Sequence, residues 1–70
     1  MKKLLANGSE LYVNRAGRNL WTVDIFPTFH EDGTPVLKGE PVEPSYHRAY
    51  ETEGEAVADA QSWAPWPIDD

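Results

Sequence analysis

The chain predicts an α+β fold: a three-stranded antiparallel meander with one C-terminal helix packed across a face, in the order β-β-β-α. Three observations carry this. Thr52 to Ala64 has the punctuation of a short helix, Leu20 to Phe26 alternates with the period of a strand, and turn signals separate every apolar run. Seventy residues make one domain, 1–70.

The helix is the clearest element. Thr52-Glu53-Gly54-Glu55 fits the S/T-x-x-E box, in which the Thr52 hydroxyl accepts from the Glu55 amide and the Glu55 carboxylate reaches back to the amide of Thr52. Glu53, Glu55 and Asp59 complement the positive end of the helix dipole. Pro65 forbids easy continuation, so Ala64 is the expected last helical residue. At 3.6 residues per turn Ala56, Val57, Ala60, Trp63 and Ala64 share one stripe, whose small side chains let the helix approach a sheet closely. A helix this short is marginal alone in water and requires strands to pack on.

Those strands lie upstream. Residues 1–8 read as a flexible lead-in. Glu10 to Asn14 begins a strand with Leu11 and Val13 on one side and Tyr12 on the other. Arg15-Ala16-Gly17-Arg18 is a hairpin connection, with Gly17 supplying positive φ. Leu20 to Phe26 sets Trp21, Val23 and Ile25, the expected surface under the helix, against Leu20, Thr22, Asp24 and Phe26. Glu31-Asp32-Gly33-Thr34-Pro35 is a turn, Val36-Leu37 pairs briefly, and Lys38 to Ser45 is an extended connection broken by prolines. Tyr46 to Tyr50 is the third strand, with either the tyrosines or Ala49 inside. Residues 65–70 form a Pro-rich tail, in which Trp66 or Ile68 has the chance to fold back on the core.

The aromatic-ended strand, then Thr52-Glu53-Gly54-Glu55-Ala56 and a helix closing in Trp63-Ala64 with Trp66, Ile68 and Asp69 just beyond, resembles the C-terminal segment of small uncharacterised bacterial proteins of β-β-β-α layout. The likeness covers about twenty residues. It implies the fold and no activity.

Composition narrows the function classes. The absence of cysteine removes disulfides, Cys-based metal sites and redox motifs. After Met1-Lys2-Lys3 the apolar run is only Leu4-Leu5-Ala6, too short for a signal peptide, and no run approaches a membrane span, so the expectation is a cytoplasmic protein without membrane association. The net charge of −6 is uneven: residues 1–30 hold Lys2, Lys3, Arg15 and Arg18 against Glu10 and Asp24, whereas 31–70 hold Lys38 and Arg48 against ten acids. An acidic domain repels nucleic acid on average.

Catalytic chemistry has little to stand on. His30-Glu31-Asp32 with His47 offers metal-ligand types but no H-x-x-x-H spacing. Ser9, Ser45 and Ser62 sit in no nucleophile elbow, and the glycines are scattered singly rather than gathered in a phosphate loop. The reading is therefore not an enzyme, with no catalytic residue, no cofactor, no metal and no small-molecule substrate. Tyr12, Leu20 and Phe26 on the sheet face away from the helix form an incompletely covered apolar surface of the kind that marks an interface. The leading expectation is a small acidic interaction domain binding a protein partner or itself as a homodimer. The alternative is a nucleic-acid-binding regulator that uses Arg15 and Arg18 with the aromatic face.

Overall fold

The computed structural model describes residues 1–63. Four antiparallel strands, β1 (Lys2–Leu4), β2 (Glu10–Gly17), β3 (Leu20–Phe26) and β4 (Tyr46–Tyr50), lie in the order β1-β2-β3-β4, and helix α1 (Glu53–Gln61) crosses one face. The α+β meander-and-helix architecture is as the sequence predicts, with one strand more than expected.

The additional strand corrects the reading of residues 1–8 as a flexible lead-in. Lys2, Lys3 and Leu4 pair with Tyr12, Leu11 and Glu10. The turn that makes this possible is closed three ways: Gly8 N–H donates to Leu5 O at 2.9 Å, Leu5 N–H to Ser9 O at 2.8 Å, and Ser9 N–H to the Asn7 side chain at 2.9 Å. Gly8 takes φ 88°, a conformation that costs glycine little. Leu5 then enters the core, only 3% exposed.

One sheet face is the core face. Leu11 lies opposite Ile25 and Val13 opposite Val23, and these four are buried together with Leu5, Ala56 and Ala60. Trp21 belongs to the same face but is only partly buried, at the edge of the cluster with Tyr46, Tyr50 and Trp63. In β4, Tyr46, Arg48 and Tyr50 pair with Ile25, Val23 and Trp21, so the tyrosine side faces the helix.

The helix begins as expected, at Thr52, whose hydroxyl oxygen accepts from Glu55 N–H at 3.3 Å. The Glu55 carboxylate, however, accepts from the Thr52 hydroxyl at 2.9 Å rather than from its amide. The helix ends at Gln61 with Ser62 as C-cap, earlier than the expected Ala64. There is no basic residue in the last turn. Lys3 of β1 supplies the missing cation from across the core: its Nζ donates to Ala60 O at 3.0 Å and to Trp63 O. A cation on the final carbonyls offsets the negative end of the helix dipole.

At the β2–β3 hairpin the positive φ falls on Asn19, at 54°, and not on Gly17 as the sequence suggests. Gly17 instead ends β2 beyond a register shift after Arg15. Asparagine is among the few residues that tolerate this left-handed backbone.

Candidate functional site: a groove on the open sheet face

The face away from α1 carries Lys2 and Leu4 of β1, Glu10, Tyr12 and Asn14 of β2, Leu20, Thr22, Asp24 and Phe26 of β3, and His47 and Ala49 of β4, as the register dictates. Among the described residues nothing helical covers it. The connection from β3 to β4, residues 27–45, does so in part.

That connection is longer than ordinary loops, and loops of such length are ordered by their own contacts, carry function, or stay disordered. This one is ordered by its own contacts. Phe29 bridges Pro35, His30 N–H donates to Thr34 O at 2.7 Å, and Val36 N–H donates to Thr28 O at 2.8 Å, which makes a miniature hairpin of Thr28 to Val36. At its tip Gly33 takes φ 88°, and the Asp32 carboxylate accepts from both the amide and the hydroxyl of Thr34, at 3.0 and 2.7 Å. These bonds hold the Asp32 carboxyl below its ordinary range. A second turn follows: Glu40 N–H donates to Leu37 O at 3.0 Å, and Leu37 N–H donates to the Glu40 carboxylate at 3.0 Å. His30 Nε2 meets the other oxygen of that carboxylate at 2.6 Å, clasping the two turns together. Thr28 Oγ1 donates to Gly8 O at 2.6 Å and ties the connection to the β1–β2 turn.

Between this folded loop and the sheet lies a groove of about 520 Å³. Tyr12 and Phe26 form its floor, in an edge-to-face pair with centroids 5.9 Å apart and an interplanar angle of 69°. Val36, Leu37 and Val42 form the apolar wall, and Glu10 and Lys38 are its charged groups. Leu37 is 69% exposed at the rim of this wall.

The floor is held in place by charge. Glu10 Oε2 accepts from Lys2 Nζ at 2.6 Å and from the Tyr12 hydroxyl at 3.0 Å, and the Lys2 ammonium stands 5.7 Å from the Tyr12 ring centre. The hydrogen bond from Lys2, followed by that from Tyr12, lowers the Glu10 pKa, and the bond to Glu10 and the Glu10 charge raise that of Lys2. Farther along the face Asp24 and His47 form a cross-strand pair through Nδ1. Among the described residues no three His, Asp or Glu side chains converge on a point.

The structure therefore brings two of the five nominated interaction residues, Tyr12 and Phe26, into one site. Leu20 lies at the far end of β3, 40% exposed, beside the hairpin. Arg15 pairs with Trp21 and so belongs to the helix side, its Nε donating to Gly17 O at 3.4 Å. Arg18 lies in the hairpin turn, exposed. Sequence reasoning missed Val36, Leu37, Lys38 and Val42, although the apolar pair Val36-Leu37 between two turn signals was visible.

A separate polar cluster joins sheet to helix on the core side. The Tyr46 and Tyr50 hydroxyls both donate to Asp59 Oδ2 at 2.7 Å, and Trp63 stacks edge-on against Tyr46 with centroids 5.0 Å apart. Burial, then the bond to Asp59, pushes the Tyr46 hydroxyl up to about 12. The bond to Asp59 likewise raises Tyr50. Burial works to raise Asp59, but the bonds from the two tyrosines outweigh it and hold the carboxyl low.

No protein-family model, no curated protein and no solved structure matches this chain. None of these comparisons supports the expected likeness to small bacterial β-β-β-α proteins, and the Pro-rich tail with Trp66 and Ile68 lies outside the described residues.

Proposed function

We propose that this chain is a non-enzymatic interaction domain that receives an extended, largely apolar protein segment in the groove between Tyr12–Phe26 and the 27–45 connection. The carrying observation is the groove itself: an aromatic floor braced by the Lys2–Glu10–Tyr12 triad, opposite a wall whose Leu37 is left 69% exposed. Aromatic-lined grooves suit extended segments because the ring faces accept apolar side chains and proline while charged rims fix direction. The expected partner is therefore a protein or a second copy of this chain.

The nucleic-acid reading draws less support, since its pieces are apart. Arg15 belongs to the helix face and Arg18 to the hairpin, whereas the aromatic pair lies toward the opposite end of β2 and β3. A stacking platform needs basic and aromatic groups on one surface.

Selection from a random-peptide display library tests the proposal. The full chain is expected to enrich apolar, proline-containing peptides that shift the amide resonances of Tyr12, Phe26, Val36 to Glu40, and Val42. Leu37→Asp is expected to lose them, and because Leu37 is so exposed the fold survives the change. Binders that map to another surface, or that bind Leu37→Asp equally well, would remove the groove from consideration.

A further inference from the structure

The groove has a sequence that matches it within the same protein. Pro65-Trp66-Pro67-Ile68-Asp69-Asp70 presents an aromatic and a branched aliphatic residue between and after two prolines, followed by two acids. Proline fixes its own φ and biases the residue before it toward extended backbone, so this segment loses little conformational freedom on docking. The groove supplies an aromatic floor, aliphatic walls and Lys38, which forms no ion pair among the described residues. Its other charged group, Glu10, is already engaged by Lys2.

Geometry favours another molecule as the donor of the segment. Trp63 lines a smaller hollow with Leu5, Ala6 and Asn7, and its carbonyl is held by Lys3 on the helix side of the sheet. Trp66 follows three residues later, a span of about 10 Å even when fully extended. The groove lies on the face of the sheet opposite to Trp63, so the chain has to round the sheet edge to enter it. The route also has to clear the Leu5–Ser9 turn that Thr28 ties down. Within one molecule the segment would have to round the sheet edge at full extension to seat Trp66; a second copy presents it without that detour.

Building on the groove reading above, we infer that its occupant is the 65–70 segment of a second copy of this chain, with Trp66 and Ile68 on the Tyr12–Phe26 floor and the Asp69–Asp70 pair at Lys38. Reciprocal exchange closes a two-fold dimer, and once one segment is seated the second binds as an intramolecular event. Closure also leaves no unfilled groove from which a filament would grow.

The experiment uses the full chain, isotope-labelled and unlabelled copies mixed in equal amounts, with light scattering at the same concentration. The expected result is a dimeric mass together with cross-copy nuclear Overhauser effects between the Trp66 indole and the methyl groups of Leu37 or Val42. Leu37→Asp and Trp66→Ser should each weaken the dimer at least tenfold without moving the amide resonances of α1. A chain that is monomeric at millimolar concentration, a dimer indifferent to both substitutions, or contacts confined to one molecule would each overturn the inference. Library peptides that bind the groove of a chain that stays monomeric would sink this inference and leave the groove reading intact.

Discussion

Asp59 shows how much a single residue carries. Its Oδ2 takes both tyrosine hydroxyls of β4, at 2.7 Å each, and so joins the helix to the edge strand. Asp59→Ala removes the acceptor shared by two half-buried hydroxyls and should lower the midpoint of unfolding in urea. The pH dependence has two signs. Because the folded Asp59 pKa is depressed, its contribution is present above its unfolded value of 3.8 and is lost as pH falls through the lower folded value. Because the Tyr46 pKa is raised, its contribution is present below 10.0 and is lost as pH rises toward about 12. Urea unfolding across both windows checks this: wild type should lose stability at each end, and Asp59→Asn should show the smaller loss in each. None of this pairing was legible beforehand, since choosing between the tyrosine and alanine faces of β4 requires knowing which side the helix covers.

At the scale of elements, helix and sheet explain each other. Ala56 and Ala60 are fully buried, which leaves no room for a larger side chain between α1 and the Leu11–Ile25 and Val13–Val23 pairs. Ala60→Leu should therefore cost at least about 1–3 kcal/mol through overpacking, seen as a depressed melting temperature. Loss of the Thr52 cap in Thr52→Ala should cost about 1 kcal/mol. Lys3→Met keeps most of the stem but removes the cation from the helix C-terminus, with an expected loss of about 0.3–1 kcal/mol that shrinks as salt is added. The start of the helix was readable because its signals are local: a cap, acids, an alanine stripe. β1 was not. Lys2-Lys3-Leu4 has no strand pattern of its own, and only the Asn7-Gly8 turn, acting with the established β2, recruits it. The bond from Lys3 to the Ala60 carbonyl was equally hidden, because it comes from an element far away in the chain.

For the molecule as a whole, the sheet separates two jobs. The side under α1 holds the buried core, and the other side is left to an ordered loop that covers it incompletely. The uncovered face was legible through Tyr12 and Phe26, which is why the floor of the site could be nominated. The wall could not, because Val36, Leu37 and Val42 acquire their places only through long-range bonds such as Thr28 to Gly8 and His30 to Glu40. The groove thus depends on residues 27–45 being folded onto the sheet rather than streaming past it. Amide hydrogen exchange on the full chain measures this directly. The amides of His30, Gly33 and Val36, which donate to Thr34, His30 and Thr28, are expected to exchange at least tenfold more slowly than in an unstructured peptide of the same sequence. Exchange at unstructured rates throughout 27–45 would contradict this, since the wall of the groove would then not exist.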